Sequence, residues 1–196
     1  MSGRLRRGLP ALLAAWLLSG CGQPMVLGED SLACRDGDEN HPANGVVLMA
    51  QSVPSAAWVP CLEVMPLGWD LAGLEADESS ARFWLDSDRD GVHALEVALT
   101  SSCNTVEATE IPSEREGMRR WERVTQVTPQ YVGTRHYVFD GGCVNVHFRL
   151  SGENRSEPLG VATQGVGAVT REQVRAAVRD QTDGRLELDP PPDGEG

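Results

Sequence analysis

Residues 134–150 read TRHYVFDGGCVNVHFRL and carry the strongest fold signal in the chain. Two runs that alternate between apolar and polar residues flank a pair of glycines, a pattern typical of a β-hairpin with a two-residue turn. With residues 141–142 as the turn, Phe139 faces Val144 and the apolar side chains of both strands share one face. A slip of one residue would move one strand's apolar set to the opposite face, so the alternation restricts the register.

The polar face of this predicted hairpin places His136 directly across from His147 and also carries Cys143. Opposed imidazoles on neighbouring strands lie close enough to share zinc or copper, and with an acidic neighbour they would form an open hydrolytic site. His136 and His147 are therefore candidate metal ligands. Two solvated histidines on a half-exposed sheet face explain the same pattern, and no HExxH or HxxxH spacing supports the metal.

A second hairpin and a C-terminal helix complete the predicted fold. Residues 81–85 pair with residues 93–99, because apolar side chains alternate in step along both runs. Near the end of the chain, Thr170 and Gln173 form a capping box that begins a short helix, and Gly184 ends it. These signals predict an α+β domain that is mainly an antiparallel β-sheet built from hairpins.

The turn DSDRDG at residues 86–91 resembles half of a calcium-binding loop. Asp86, Asp88 and Asp90 occupy alternate positions and a glycine follows, as calcium ligation requires. Val97 stands where the closing bidentate glutamate belongs, however, and no flanking helices are evident. An acidic hairpin turn explains the same residues through the turn propensities of Asp and Gly.

Four cysteines are expected to form two disulfides. None of them has CxxC spacing, and an even number in an exported chain indicates a disulfide framework. Of the three possible pairings we favour those between sequence neighbours, and four thiolates around zinc is the alternative. The favoured pairs are Cys34 with Cys61 and Cys103 with Cys143.

The N-terminus has the three parts of an export signal. A basic start is followed by an apolar run over residues 9–18, shorter than the roughly 20 residues of a transmembrane helix. The run ends in LSGC at residues 18–21, which matches the lipobox and so resembles the signal of bacterial lipoproteins. The resemblance implies that residues 1–20 are removed and that Cys21 carries a diacylglycerol and a further acyl chain, a durable membrane anchor.

Stretches rich in Gly, Pro and acidic residues, which are typical of loops and linkers, mark the boundaries in the rest of the chain. Residues 21–44 are predicted to be a tether, residues 45–188 a single extracytoplasmic domain, and residues 189–196 a disordered acidic tail. All 29 acidic side chains and 14 of the 17 basic ones follow residue 21, which leaves a net charge of −15 there. Such a charge disfavours nucleic acid as a partner and repels an anionic lipid surface.

Several segments after residue 21 are similar to a group of uncharacterised exported proteins of actinobacteria. They are PLGW at 66–69, FWLDSDR at 83–89, ATEIPS at 108–113 and YVFDGGC at 137–143. The resemblance implies a location on the outer face of the cytoplasmic membrane of a Gram-positive cell. It brings no activity and no catalytic residues.

The chain lacks the common catalytic signatures. It has no GxSxG elbow and no lysine, and its four paired cysteines leave no nucleophilic thiol. We therefore expect a non-catalytic module that binds or scaffolds an envelope protein or small ligand, with no cofactor unless calcium or zinc binds. The alternative is an extracytoplasmic metal-dependent hydrolase that uses His136 and His147. Four tryptophans have two possible roles, because their side chains could line a ligand groove or pack in the core. They are Trp58, Trp69, Trp84 and Trp121.

Overall fold

The structure is a computed structural model, and it describes residues 29–35, 41–151 and 156–190. Cys21 with its lipobox, and the end of the predicted acidic tail, lie outside the described residues. The elements in chain order are a 3-10 turn at Glu29–Leu32, α1 Asn44–Ser52, β1 Trp58–Leu62, β2 Trp69–Ala76, β3 Ser80–Ser87, β4 Gly91–Thr100, β5 Thr109–Ile111, β6 Arg119–Gln126, β7 Tyr131–Phe139, β8 Gly142–Leu150, α2 Ser156–Gly165, β9 Val166–Thr170 and α3 Arg171–Gln181.

Seven strands form one sheet in the order β2-β3-β4-β8-β7-β6-β5, and every neighbouring pair is antiparallel. The remaining strands, β1 and β9, pair with each other as a separate antiparallel ribbon. The predicted fold class is confirmed: the described chain is mainly antiparallel β-sheet built from hairpins and has a C-terminal helix. The two predicted hairpins are neighbours, because β4 pairs directly with β8.

The two runs predicted for the first hairpin do pair, with Phe83 opposite Val97, but the register predicted for the second hairpin is wrong by two residues. Its turn is formed by residues 140–141, so Val144 pairs with Tyr137 instead of Phe139. Gly141 supplies the positive φ of 69° that this turn needs. Gly142 is instead required for packing, since a Cβ there would lie 2.9 Å from that of Ala56.

The shift by two residues leaves the faces of the sheet unchanged, because side chains alternate with a period of two. One face is apolar and packs against α1, α2 and the β1–β9 ribbon. We call this the inner face and the opposite one the outer face. The inner face supplies the largest fully buried side chains of the sheet: Phe83, Leu85, Leu95, Leu99, Phe148 and Leu150.

Both predicted disulfides are confirmed. Cys34 is bonded to Cys61 with a Cα–Cα distance of 5.0 Å, and Cys103 is bonded to Cys143 at 5.7 Å. The first bridge holds the segment before α1 against β1. The second holds the loop after β4 against the start of β8.

The folded part begins earlier than the domain boundary predicted at residue 45. Leu32 is completely buried in the core, and Ala33 makes a β-bridge to Leu62. Residues 29–35 therefore belong to the domain, although the sequence assigned them to the tether. This segment packs on the domain because Cys34 is bonded to Cys61 and because burial of the apolar Leu32 side chain is favourable.

Arg171, the first residue of α3, joins both ends of the domain. The predicted capping box between Thr170 and Gln173 is present and fixes the start of this helix. Arg171 is buried and donates hydrogen bonds to the main-chain oxygens of Ala50 and Asp189. The first acceptor lies at the C-terminal end of α1, where the helix dipole favours a cation. Burial lowers the pKa of Arg171, but its guanidinium stays charged at neutral pH.

Replacement of this buried cation tests its role. Arg171→Gln is expected to lower the free energy of unfolding by about 2 to 4 kcal/mol, because charged hydrogen bonds to α1 and to the C-terminal segment are lost together. Arg175→Gln is the matched control on the same helix, where a half-exposed ion pair to Glu172 contributes about 0.5 kcal/mol or less. Chemical denaturation measures both, and equal losses would contradict the role given to Arg171.

Candidate functional site on the outer sheet face

The outer face carries a row of polar side chains that crosses four strands. Trp84 on β3 is paired with Glu96 on β4, Glu96 with His147 on β8, and His147 with Thr134 on β7. The sequence neighbours of Trp84, Glu96 and His147 are buried on the inner face, so strand alternation places these three side chains outward. Thr134 is directly opposite His147 and therefore lies on the same face. We call Trp84, Glu96, His147 and Thr134 the His147 row.

Contacts within the His147 row hold its side chains in place. The indole Nε1–H of Trp84 donates to Glu96 Oε2 at 2.8 Å, and Thr134 Oγ1 lies 2.8 Å from His147 Nδ1. The ring of His93 stacks on Trp84, with centroids 5.3 Å apart and planes inclined by 21°. The side chains of the row are thus held by contacts with one another.

An open groove of about 560 Å³ lies over the His147 row. Its walls come from the start of β4, which supplies Val92, from the end of β6, which supplies Thr125, and from the start of β7, which supplies Val132. Arg149 adds a cation beside the floor. This volume is in the range of small-ligand sites in proteins, and the lining is mainly polar, with Val92 and Val132 as apolar members.

His147 favours its neutral form. Desolvation by the surrounding side chains lowers the pKa of His147, and the proximity of His136 lowers it further. The carboxylate of Glu96 acts in the opposite direction and raises this pKa, but does not reverse the shift. At neutral pH the groove floor therefore presents an uncharged imidazole beside a carboxylate.

A second row on the outer face contains the other histidine. His136 on β7 pairs with Asn145 on β8, and its Nδ1 lies 2.7 Å from Asn145 Oδ1. His136 is buried, with only 8 % of its surface exposed. The prediction that His136 and His147 face each other is therefore wrong, because the two-residue shift in register gives each imidazole a different partner. The opposed-histidine metal centre loses the geometry on which it was based.

The structure assembles a different group of potential ligands. Within the described ranges, one atom from each of Cys103, His136 and Cys143 lies within 4.8 Å of the others, and no other group of three or more such residues meets this distance. Sequence reasoning placed His136 and Cys143 on one face but assigned both cysteines to the disulfide only. The predicted disulfide brings Cys103 to Cys143, and what the sequence did not show is that the true register of β7 places His136 beside both sulfurs.

The acidic turn has the hydrogen bonds of a structural turn. Asp86 Oδ1 accepts the main-chain N–H of His93 at 2.7 Å. Asp90 Oδ1 accepts the N–H of Ser151 at 2.7 Å, and only 1 % of the Asp90 side chain is exposed. Asp88 is exposed at the tip of the turn. Two of the three candidate calcium ligands therefore have structural hydrogen bonds. Asp86 links the turn to β4, and Asp90 links it to the end of β8.

The four tryptophans divide between the two roles considered for them. Trp69 is buried and Trp58 packs against the core. Trp84 and Trp121 instead lie half-buried on the outer face, each beneath an arginine side chain. The guanidinium of Arg119, for example, lies 4.5 Å from the centre of the Trp121 ring. Two of the four tryptophans therefore add aromatic surface to the outer face of the sheet.

Neither family models nor curated proteins nor solved structures yielded a match to this chain. None of the helices in the described ranges is long and apolar enough to cross a bilayer. The groove and the group of Cys103, His136 and Cys143 are therefore the features that bear on function.

Titration of His147 tests the electrostatics of the groove. We expect its ring resonances to titrate below pH 6.5, the usual value, when followed by NMR. Glu96→Gln should lower the pKa further, because it removes the anion that favours imidazolium, whereas His136→Gln should raise it. Since the folded state disfavours the proton, the contribution of His147 to stability is present above pH 6.5 and is lost as the pH falls through its folded pKa.

A midpoint above 6.5, a higher midpoint in Glu96→Gln or a lower midpoint in His136→Gln would contradict this description of the groove. Glu110→Gln, which removes a carboxylate from the distant edge strand β5, serves as the control and should leave the midpoint unchanged.

Proposed function

We propose that this chain is a lipid-anchored, extracytoplasmic binding module of the cell envelope, and that its ligand occupies the groove over the His147 row. The groove itself carries the proposal. It combines an open volume of about 560 Å³ with polar groups already fixed by the Trp84–Glu96 and Thr134–His147 contacts. Fixed groups lose little conformational entropy when a ligand binds, which favours recognition.

The chemistry of the groove favours a neutral, hydroxyl-rich ligand. Its floor offers a carboxylate and a neutral imidazole as hydrogen-bonding partners, and Thr134 adds a hydroxyl. Exposed Val92 and the stacked Trp84 and His93 rings provide apolar surface for the faces of sugar rings. The net charge of −15 after residue 21 repels anionic polymers. We therefore propose cell-wall glycan as the ligand class.

The cysteines support an exported, anchored location. Four of the five form two disulfides, as is usual in oxidising compartments. Cys21 is left outside these pairs and directly follows the lipobox leucine, serine and glycine, where lipid attachment would use its sulfur. The hydrolase alternative has no comparable support, because His136 and His147 lie in different rows and His136 is bonded to Asn145.

The anchor is tested by metabolic labelling with an alkyne fatty acid in a bacterial host. The wild-type chain should incorporate the label, and Cys21→Ala should abolish it because the acyl acceptor is gone. Gly22→Ala, which keeps the cysteine, should retain the label. An unlabelled wild-type chain would show that the anchor does not form.

The groove is tested by co-sedimentation of the purified full chain with insoluble peptidoglycan. The double variant Glu96→Gln/His147→Ala should bind at least about tenfold more weakly, since two fixed partners of the ligand are lost. Glu110→Gln removes an exposed carboxylate from β5 and should bind like wild type. Cys21→Ala should also bind normally, because the groove lies in the folded domain. Equal binding by the double variant and wild type, with both folded, would refute the groove as the site.

A further inference from the structure

We propose that Cys103, Cys143 and His136 form a metal site for Zn²⁺ when the Cys103–Cys143 disulfide is reduced. Their potential ligand atoms lie within 4.8 Å of one another. Two thiolates and an imidazole are a typical donor set for this ion. The site is distinct from the groove, which shares none of these residues.

Three separate segments bring these side chains together. Cys143 opens β8 and pairs with Thr100 at the end of β4. The chain turns back just after Thr100, whose hydroxyl donates to the main-chain oxygen of Ser102 at 2.9 Å, so Cys103 returns over the outer face. His136 reaches the same place from β7. Because the strands and this turn hold the three donors, breaking the S–S bond leaves them close together.

Asn145 lies at the centre of this group and orients it. Its Oδ1 lies 2.7 Å from His136 Nδ1, 3.1 Å from Cys103 Sγ and 3.8 Å from Cys143 Sγ. Its Nδ2 donates to Thr100 Oγ1 at 3.2 Å, which directs the oxygen into the group. The amide oxygen of Asn145 thus contacts all three candidate ligands and holds the His136 ring beside the two sulfurs, the role that an outer-shell partner has at zinc sites.

The reduction and the loading of the ion balance as two steps. A dithiol reductant transfers two electrons to the S–S bond, giving two cysteine thiols and the cyclic disulfide of the reductant. Zn²⁺ then binds both sulfurs as thiolates and releases two protons, while His136 offers an unprotonated ring nitrogen. In the reverse direction a small-molecule disulfide takes up the two electrons and two protons, becomes the dithiol, restores the Cys103–Cys143 bond and so releases the ion. The disulfide and the metal complex are therefore alternative states of one site.

The Cys103–Cys143 disulfide is expected to be reduced more easily than the Cys34–Cys61 disulfide, because it is less buried. Cys103 is half-buried and Cys143 fully buried, so a reductant is expected to attack at Cys103 and release Cys143 as a thiolate beside His136. In the second disulfide, Cys34 and Cys61 are both buried and belong to the core. A mild dithiol should therefore open the Cys103–Cys143 bridge first.

The test is anaerobic titration of the full chain with Co²⁺, a coloured substitute for Zn²⁺, after reduction by dithiothreitol and removal of the reductant. The reduced wild-type chain should bind one Co²⁺ with a thiolate-to-cobalt charge-transfer band, and Zn²⁺ should abolish the band. The oxidised chain should show no band. His136→Gln should weaken Co²⁺ binding at least tenfold, whereas His147→Gln, one row away on the same face, should not change it.

The variant Cys103→Ser/Cys143→Ser, treated in the same way, measures any signal from Cys34 and Cys61. No band in the reduced wild-type chain, or an equal band in this double variant, would overturn the proposal. So would unchanged binding in His136→Gln. Peptidoglycan binding by the oxidised chain is unaffected by these results, so failure of the metal site and failure of the proposed function are separable.

Discussion

The pairing of β8 with β4 on one side and with β7 on the other is the constraint on which the rest of the structure depends. Residues of β8 alternate strictly between two environments, with Val146 and Phe148 in the core and Asn145 and His147 on the outer face. Burial of each large apolar side chain contributes about 1.5 to 3 kcal/mol, so a one-residue slip would be very costly. The composition of the outer face follows from this alternation.

The same pairing separates the outer face into two sites. Asn145 and His147 are successive outward residues of one strand, and each lies in its own row across the sheet. The row through His147 opens into the groove, whereas the row through Asn145 lies beside Cys103 and the disulfide. Successive outward residues of one strand therefore contribute to the groove and to the surroundings of the Cys103–Cys143 disulfide, which differ in accessibility and in chemistry.

The alternation, both disulfides and the capping box of α3 could be predicted from sequence, because each depends on short-range patterns or on a small number of pairings. The exact register of the second hairpin could not. Asp140-Gly141 and Gly141-Gly142 are both favourable turns, and the choice depends on tertiary contacts. Gly142 packs against Ala56, and Ala57 donates its N–H to the main-chain oxygen of Asp140.

Two helices were also missed for physical reasons. Helix α1 has no side-chain hydrogen bond at its N-cap and no acidic residue in its first turn, so its local signals are weak. It is stabilised by burial of Val46 and Met49 and by the hydrogen bonds from Arg171. Helix α2 contains Pro158 and Gly160, both poor helix formers, and depends on packing of its apolar side chains. Both helices therefore form because of packing against residues that are distant in sequence.

The candidate sites depended on the register more than the fold did. A shift by two residues preserves every inward and outward assignment, so the predicted fold class survived it. The same shift replaces a His136–His147 pair by His136–Asn145 and Thr134–His147 pairs, and it changes the chemistry of the outer face. Site prediction from sequence thus required a precision that alternation alone does not provide.

The most direct test of this account is the set of cross-strand backbone NOEs between β7 and β8 in solution. The account predicts NOEs that connect His136 with Asn145 and Thr134 with His147. NOEs that connect His136 with His147 as a directly opposed pair would contradict it, because they would restore the Gly141-Gly142 turn and merge the two rows into one histidine site.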